Sequence, residues 1–374
     1  MLSQLKNFVT DTFDTVVAGH RSRTEAKYDR LNVSSYLREG VTLTSEERRM
    51  IQERWGKIVR CIRRGYDFYR GLKVLDCFNQ DYLPSSYFFP YIEGILNPER
   101  WKHQLSHKSM IEIAYGVGVR HPRTILRTFG GVFLGEDYMP LRLEEAVSVI
   151  RGADTPLLYK PSTESEQGAG VRLINPGEFD DLYKEVASGG IFDSNADFVL
   201  QVPVEQSKYT SVFNSTSLNC MRITTLNLNG QVSVCSRAIK CGPKDSVVDN
   251  IGSGKRGVIV GIRPDGRLCD TGFYGNGERA SGHNGVQFRG VKIANFHKVV
   301  EAAICLHEYV RHCKIIGWDI ALDSNDEPVL IEGNVVYPGV SFEQMCSGPI
   351  FGDRTEEVIA YISDCQNVTN RGGE

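Results

Sequence analysis

The sequence has 374 residues, 41% of them hydrophobic and 24% charged, and its formal net charge is −3. This charge argues against a general nucleic-acid-binding protein, because such proteins usually carry a strongly basic surface. No stretch has the uninterrupted apolar length of a membrane-spanning helix, and the first residues lack the charged and apolar regions of a signal peptide. The 10 cysteines show no C-x-x-C spacing, so we expect reduced, mostly buried thiols in a cytoplasmic protein.

The first part of the chain carries two helical patterns. Apolar residues recur at helical spacing over residues 1–18, which favours a helix packed on the body of the protein or on a partner. Thr44 and Glu47 form a capping-box pair, and an apolar stripe follows from Ile51 to Ile62. The other face of this second helix is basic. We interpret it as a solvated face, with an anionic substrate or a membrane-associated partner as the alternative.

Shorter elements follow. Residues Pro98–Tyr115, which include Lys108, have the pattern of a helix. Strands are predicted at Thr124–Phe129 and Leu157–Tyr159, with a helix at Leu143–Ile150 between them. The chain therefore alternates strands and helices after its helical first part.

A glycine-rich loop comes next. The strand before it delivers Lys160, Pro161 ends that strand, and Gly168 and Gly170 lead into another strand at Val171. Glycines let backbone N–H groups wrap around a polyphosphate, and a lysine supplies a fixed positive charge. Taken alone, such a loop is more often an ordinary turn. The absence of a GxxxxGK[ST] pattern argues against a P-loop enzyme.

Two strands with one arginine each flank a tight turn. Residues 217–242 alternate apolar and polar side chains around Asn229-Gly230, a strong signal for a β-hairpin. Arg222 and Arg237 lie at equal distances from this turn, one on each strand. Strand arginines that face a site suit bidentate contacts with phosphate or carboxylate, and arginines on a solvated face are the alternative.

Two polar loops supply further candidates. Residues 248–257 form a glycine-rich polar loop that includes Asn250. His283 lies in a second loop that is too polar for a core histidine. Both side chains are candidates for contacts with a substrate. A long helix is predicted at Lys298–Cys313.

The last hairpin carries a possible metal site. Ile315–Leu322 and Pro328–Glu332 read as strands joined by a turn rich in Asp and Asn. Side chains alternate faces along a strand, so Asp319, Glu332 and Asn334 can converge. Two carboxylates and an amide oxygen suit Mg²⁺, or Mn²⁺, with nucleotide phosphates and water completing the coordination. Solvated acids on a polar hairpin are the competing interpretation.

This series of segments resembles the ATP-grasp superfamily. Asp319, Glu332-Gly333-Asn334 and the turn Pro338-Gly339 match the metal-binding end, and Lys160-Pro161 with its glycine loop matches the lid upstream. Glu164 and Glu166 depart from the small residues that are commoner in that loop.

The closer resemblance is to the sugar-transfer-associated branch of the superfamily. It rests on Leu-Asn-Cys-Met-Arg-Ile-Thr-Thr (218–225), Val-Asp-Asn-Ile-Gly-Ser-Gly (248–254) and Ile-Gly-Trp-Asp-Ile-Ala (316–321). It spans roughly residues 45–345.

The resemblance implies a division of roles at the site. The phosphates of ATP would be bound by Lys108, Lys160, Gly168 and Gly170. The adenine hinge would be formed by Gln201, Val202 and Val204, with Glu205 as the ribose partner. The metal would be held by Asp319, Glu332 and Asn334, and the transferred phosphoryl group would be steadied by Lys160, Arg222 and Arg237. Substrate would be contacted by Asn250 and His283.

The resemblance also implies an α+β fold in which two α+β lobes grip ATP, with a helical N-terminal extension. Residues 1–104 would be an accessory region, and residues 105–362 the catalytic domain, with its lid at about residues 126–200. A helix at Glu356–Ile362 would close the domain, and residues 363–374 would be a tail.

The function implied is that of an ATP-dependent carboxylate–amine ligase that works through an acyl phosphate, using ATP and Mg²⁺. Its small-molecule substrates would be a carboxylate, either a sugar acid or an amino acid, and an amine, and the resemblance leaves room for substrates that are linked to a sugar. The reaction would belong to capsular or cell-surface polysaccharide biosynthesis. The resemblance leaves room for a homodimer. Two alternatives stay open: an ATP-grasp phosphotransferase and a non-catalytic nucleotide-binding scaffold.

Overall fold

A computed structural model describes residues 2–116, 118–163, 168–187, 197–244, 246, 248–249, 251 and 257–371. The helices within these residues are α1 (Leu2–Asn32), α2 (Ser45–Trp55), α3 (Tyr66–Val74), α4 (Ser85–Tyr91), α5 (Glu93–Leu96), α6 (Glu99–Ser106), α7 (Ile111–Ala114), α8 (Leu143–Arg151), α9 (Phe179–Ala187), α10 (Lys208–Ser211), α11 (Phe296–Tyr309), α12 (Ser341–Ser347) and α13 (Thr355–Arg371). The strands are β1 (Thr124–Phe129), β2 (Val132–Gly135), β3 (Pro140–Leu141), β4 (Leu157–Pro161), β5 (Arg172–Ile174), β6 (Phe198–Gln201), β7 (Met221–Leu228), β8 (Gln231–Cys241), β9 (Val258–Ile262), β10 (Leu268–Tyr274), β11 (Arg279–Ala280), β12 (Gly282–His283), β13 (Val286–Gln287), β14 (Ile315–Leu322) and β15 (Pro328–Asn334).

Most of these strands form two antiparallel sheets. The first, which we call the lid sheet, has six strands in the order β3-β2-β1-β6-β4-β5, and α8 and α9 pack on one of its faces. The second, the base sheet, has seven strands in the order β11-β10-β9-β8-β7-β14-β15. The mixture of helices and antiparallel sheets confirms the predicted α+β class.

The turn between β7 and β8 forms as predicted. Asn229 has a φ of 53° and Gly230 a φ of 80°, and Leu228 pairs with Gln231 across the turn. Two central residues with positive φ match the right-handed twist of the flanking strands, which is why Asn-Gly is favoured there.

Different helices cover the two faces of the base sheet. Ile223 and Trp318 belong to the core that packs against α11. Side chains alternate along a strand, so Ala238 packs on the opposite face, against α12. Arg222 and Asp319, each next to a residue of the α11 face, therefore lie on the α12 face. Helix α12 thus borders the side of the sheet that carries the polar cluster described below.

Helices from both ends of the chain share one core. Trp55 and Phe68, near the start, are fully buried in the same cluster as Val358 and Ile362 of α13. Leu226 of the base sheet belongs to this cluster as well. The N-terminal helical region is therefore packed on the base sheet and on α13.

The helix predicted at Pro98–Tyr115 is interrupted. His107 has an extended backbone conformation between α6 and a turn of 3-10 helix that begins at Lys108. The backbone N–H of Lys108 donates to the carbonyl oxygen of Ser162 at 3.1 Å, and the His107 ring lies 3.2 Å from the Asp197 carboxylate. These contacts with the lid replace the helical hydrogen bonds, and they turn Lys108 toward the base sheet.

Two other helix ends differ from prediction. The predicted capping box of α2 forms, but the helix ends at Trp55, before Gly56, a residue that weakens helices. The rest of the predicted stripe, to Ile62, contributes buried residues outside that helix. Helix α13 continues past the predicted end at Ile362 to Arg371, because no Pro or Gly interrupts it.

Helix α1 and the cysteines complete the description. Helix α1 continues to Asn32, past the predicted stretch. Across the described ranges, no helix combines the length and the apolar character needed to span a bilayer. All 10 cysteines are free thiols, but only Cys220, Cys241 and Cys313 are buried, so the prediction of mostly buried thiols is wrong. The others lie at half-buried positions or, for Cys305, at the surface.

Candidate active site

The predicted metal hairpin forms between β14 and β15. Asp319 lies directly opposite Glu332, and Gly317 lies opposite Asn334. Strand β14 has the predicted bounds, whereas β15 continues to Asn334. The Asp323 carboxylate holds the connecting turn by accepting hydrogen bonds from two backbone N–H groups, at 3.0 and 2.9 Å. The hairpin therefore brings the three predicted metal ligands together.

Hydrogen-bond donors surround Asp319, whose exposed fraction is 5%. Arg222 donates from Nε to Oδ1 at 2.7 Å and from Nη2 to Oδ2 at 3.0 Å. Lys240 Nζ and Asn334 Nδ2 donate to Oδ2 at 3.0 and 3.1 Å. Burial alone would raise the pKa of Asp319, but Arg222 and Lys240 hold it well below its usual range. Asp319 is therefore ionised at neutral pH.

The two cations on Asp319 reach further acids. Lys240 Nζ lies 3.6 Å from Asp249 Oδ2, and Arg222 Nη1 lies 3.7 Å from Glu343 Oε1. Burial raises the pKa of Glu343. Gly339, with a φ of 85°, allows this approach, because a Cβ there would lie 2.3 Å from Glu343 Oε1. We name this group the Asp319 cluster: Arg222, Lys240, Asp249, Asp319, Asn334 and Glu343.

Arg237 does not join the Asp319 cluster. Equal distances from the turn would pair it with Arg222, but a β-bulge shifts the register between β7 and β8, and Arg222 pairs with Ala238 instead. Arg237 lies opposite Ile223, so its side chain leaves the other face of the sheet. The same shift places Lys240 on the cluster face. The sequence contains no signal for the bulge, so Lys240 was missed.

The lid side contributes two lysines. Lys160 lies on β4 opposite Val199, and Lys108 Nζ lies 3.0 Å from Glu332 Oε1. Burial lowers the pKa of Lys160, and the positive charge of Lys108 lowers it further. Among the described residues, none forms an ion pair with the Lys160 ammonium group. Two lysines thus lie close together above the hairpin, where they favour an anion.

The structure describes the second half of the glycine-rich loop, from Gly168 onward. Gly168 and Gly170 have φ values of 73° and 74°. A Cβ on Gly168 would lie 2.9 Å from Val248, and a Cβ on Gly170 would lie 2.8 Å from Pro161. Backbone conformation and close packing therefore both require glycine here. The structure assigns these residues to contacts between the loop and its surroundings.

The predicted hinge begins at Gln201, the last residue of β6. Gln201 Nε2 donates to Thr124 Oγ1 at 3.0 Å, and the backbone N–H of Val202 donates to a carbonyl of the neighbouring chain segment at 2.9 Å. Both groups are therefore engaged within the lid. Val204 is half-buried and Glu205 is exposed.

His283 is more buried than its polar surroundings suggested. Its exposed fraction is 7%, and its Nε2 lies 2.8 Å from the carbonyl oxygen of Gly242. Because a carbonyl only accepts, Nε2 carries the proton and Nδ1 is left as an acceptor. Asn250 lies outside the described residues, as do Glu164 and Glu166 of the glycine loop.

The side-chain oxygen atoms of Glu332 and Asn334 on the hairpin are suitable ligands for a hard divalent cation. Asn334 Nδ2 donates to Gly317 and Asp319, which leaves its oxygen as the acceptor. Asp319 differs, because it already accepts four hydrogen bonds, three at Oδ2 and one at Oδ1. A cation at Oδ2 would have to replace one of these donors. Among the described residues, no three His, Cys, Asp or Glu side chains form a metal site.

Several solved structures are similar to this chain. One is titled ATP-grasp ligase PsnB with a minimal precursor, at 14% identity and a TM-score of 0.42, with 71% of this chain and 64% of that chain covered. A second is D-cycloserine synthetase DcsG, at 13% identity and a TM-score of 0.41, with 72% and 73% covered.

A third is the biotin carboxylase domain of 2-oxoglutarate carboxylase from Hydrogenobacter thermophilus, in complex with MgADP, ADP and bicarbonate. It has 13% identity and a TM-score of 0.43, with 70% of this chain and 46% of that chain covered. The chain thus spans less than two thirds of the length of PsnB and of this carboxylase domain.

Two comparisons concern sequence. The comparison with curated proteins returned no match. Residues 179–360 match the family model described as sugar-transfer associated ATP-grasp. This range contains the base sheet, the Asp319 cluster and the metal hairpin. Residues 179–360 of this chain are therefore similar to the sugar-transfer-associated ATP-grasp family.

Proposed function

We propose that the protein is an ATP-dependent carboxylate–amine ligase that forms an amide through an acyl phosphate. One observation carries this proposal. Cationic side chains from both lobes, Lys108, Lys160, Arg222 and Lys240, converge on the hairpin that presents Glu332 and Asn334. Such an arrangement fits a triphosphate with a metal ion, because catalysis of phosphoryl transfer is mostly positioning and charge stabilisation.

Each part of this arrangement has a role in the proposal. Lys108 and Lys160 bind the α- and β-phosphates, with Gly168 and Gly170 beside them. Glu332 and Asn334 would hold Mg²⁺, and Asp319 would join them if it exchanged Lys240 for the cation. When bound, the metal would neutralise negative charge on the phosphates. The hinge at Gln201–Val204 contacts adenine, and Glu205 contacts the ribose.

Arg222 is the residue proposed to act on the transferred group. A carboxylate oxygen of the substrate bonds to the γ-phosphorus as the bond to the β-phosphate oxygen breaks, and ADP leaves. Asp319 fixes the guanidinium of Arg222 by two hydrogen bonds, so it is already oriented for the charge that develops. Arg237, on the other face of the sheet, has no part in this step.

The second step forms the amide. The amine attacks the carbonyl carbon of the acyl phosphate, the carbon–oxygen bond to phosphate breaks, and inorganic phosphate leaves. The nitrogen must also lose a proton. Glu343 is placed to accept it, because it borders Arg222 and its burial raises the pKa of its carboxyl toward the working pH.

The acid substrate proposed is a sugar acid or amino acid, in the biosynthesis of capsular or other cell-surface polysaccharide. Support for this part comes from the family description alone. The identity of the substrate is therefore the first property to determine by experiment.

Trapping with hydroxylamine tests the ligase reaction. The protein is incubated with ATP, Mg²⁺, hydroxylamine and pooled sugar acids and amino acids, and the products are identified by mass spectrometry. An acyl phosphate is an activated acid, so we expect a hydroxamate together with ADP and phosphate. Arg222→Lys keeps a charge but loses the planar fork, and we expect it to lower the yield at least tenfold.

The neighbouring strand offers a matched control. Arg237→Lys changes the same residue type on the opposite face of the sheet, and we expect it to keep the wild-type yield. A stable phosphorylated hydroxyl without hydroxamate would instead identify a phosphotransferase. ATP binding without any ATP-dependent product from the pools would identify a non-catalytic scaffold.

A further inference from the structure

A second cavity lies beyond the end of β8. Its volume is about 910 Å³, within the roughly 300–1,000 Å³ of small-molecule sites. Its wall includes the polar side chains of Tyr36, Lys244, Arg279, His283, Asn284 and Gln287. The candidate active site described above does not use this space, apart from the prediction that His283 contacts substrate.

The N-terminal region forms one wall of this cavity. The hydroxyl groups of Ser34 and Ser35 donate to the carbonyl oxygen of Asn276 at 3.3 and 2.7 Å. Gly277, with a φ of 82°, packs so closely that a Cβ would lie 2.1 Å from the carbonyl oxygen of Asn32. Tyr36 is therefore held against the base sheet, and the cavity is built from both parts of the chain.

The cavity presents two cations. Within the described ranges, neither Lys244 nor Arg279 forms an ion pair, and Glu278 is the acid in the wall beside them. A guanidinium group binds a planar or tetrahedral anion well. Amide side chains at Asn284 and Gln287 and the free Nδ1 of His283 match the hydroxyl groups of a sugar. The wall therefore combines groups that can bind a sugar with groups that can bind an anion.

A chain of contacts links the wall of the cavity to the Asp319 cluster. His283 in its wall bonds to the carbonyl oxygen of Gly242, one residue past the end of β8. A Cβ on Gly242 would lie 2.9 Å from Cα of Asp249, the acid that lies 3.6 Å from Lys240. Lys240 in turn bonds to Asp319. The cavity and the Asp319 cluster are therefore neighbours, and a ligand that extends from the cavity past the end of β8 would have one end near the cluster.

We propose that this cavity binds a sugar acid that carries a second anionic group, and that Arg279 and Lys244 recognise that second group. The inference rests on the proposed ligase function. The first carboxylate reaches the Asp319 cluster, where it is phosphorylated, while the sugar ring lies against Tyr36 and His283. The second anion is either another uronate carboxylate or a phosphate, which share the chemistry that Arg279 binds.

Calorimetric titration tests the proposal with the full chain, Mg²⁺ and a non-hydrolysable ATP analogue. The probes are digalacturonate, glucuronate 1-phosphate and, for comparison, glucuronate. We expect at least one doubly anionic probe to bind at least tenfold more tightly than glucuronate, and which one does so identifies the second anion. Arg279→Gln should remove this advantage. Lys244→Gln should weaken it, and this second variant provides the test if the Arg279 variant folds poorly.

Arg263→Gln is the matched control, because Arg263 is an exposed arginine of the base sheet region outside the cavity wall, 3.9 Å from Asp270. It should bind every probe like the wild type. The stabilisation by Mg·ATP should be unchanged in the Arg279 variant, which shows an intact nucleotide site.

The proposal is overturned if neither doubly anionic probe binds more tightly than glucuronate, or if Arg279→Gln and Lys244→Gln bind them as tightly as the wild type. Failure of the ligase function has a different readout. It appears as absent hydroxamate in the trapping assay, whatever the binding result.

Discussion

Lys160 is the residue whose environment most directly indicates an anionic ligand. It lies beside Lys108, burial lowers its pKa, and no described residue pairs with its ammonium group. A nucleotide phosphate would relieve this repulsion. We expect Lys160→Ala to weaken Mg·ATP binding, so that the rise in Tm on adding Mg·ATP falls by at least half.

Lys184→Ala provides the control for this measurement. Lys184 is an exposed lysine on α9 that pairs with Asp181 at 3.0 Å, away from the hairpin. Its variant should show the full rise in Tm. An equal rise in the Lys160 variant would remove β4 from the nucleotide site.

His307 makes stability depend on pH. Burial lowers its pKa from 6.5 to about 4, and its Nε2 donates to the Cys313 carbonyl oxygen at 3.0 Å. At neutral pH, His307 is uncharged in both the folded and the unfolded state. As the pH falls from 6.5 to 4, the unfolded state takes up a proton at His307 and the folded state does not, so the free energy of unfolding decreases. The loss amounts to about 3 kcal/mol.

Denaturant unfolding at pH 7 and pH 4.5 checks this prediction. His307→Gln should be less stable at pH 7 but should lose less of its free energy of unfolding on acidification. His103→Gln, at a side chain that is 89% exposed, should follow the wild type. Equal pH dependence in the wild type and the His307 variant would show that another group is responsible.

At the scale of elements, the hairpin β14–β15 depends on one glycine between two predicted ligands. Gly333 separates Glu332 from Asn334, and a Cβ on it would lie 2.6 Å from the ring of the buried Tyr115. We expect Gly333→Ala to displace both ligands, lowering kcat roughly tenfold or more and the free energy of unfolding by about 1–3 kcal/mol.

Two further variants make this test specific. Tyr115→Leu removes the ring, so the double variant should recover part of the lost kcat. Gly94→Ala, where a Cβ meets nothing within 4 Å, should leave kcat unchanged. If Gly333→Ala alone turned over ATP like the wild type, the spacing of these ligands would not matter for catalysis.

Strands that are specified by their own local sequence pattern could be predicted from the sequence. Thr124–Phe129 and Ile315–Leu322 have the predicted bounds, because alternation and flanking turns are local signals. Arg237 could not be placed, because one extra residue in a bulge reverses every side chain beyond it. The break at His107 depends on contacts with Ser162 and Asp197, which no local pattern contains.

At the scale of the whole molecule, the resemblance correctly implied an α+β protein with a helical N-terminal region. The site residues contributed by distant segments were harder to foresee. Glu343 reaches the Asp319 cluster only because α12 crosses that face of the base sheet. Tyr36 reaches the second cavity only because the N-terminal region docks at Asn276. Packing between distant segments determines both.

The core shared by Trp55, Phe68, Val358 and Ile362 also has a consequence for synthesis on the ribosome. The early helices of this core emerge first, and their apolar partners in α13 follow about 300 residues later. At ~5–20 residues per second this delay is roughly 15–60 s, during which those apolar side chains stay uncovered. The nascent chain is thus a natural client for a chaperone that shields apolar surface until α13 arrives.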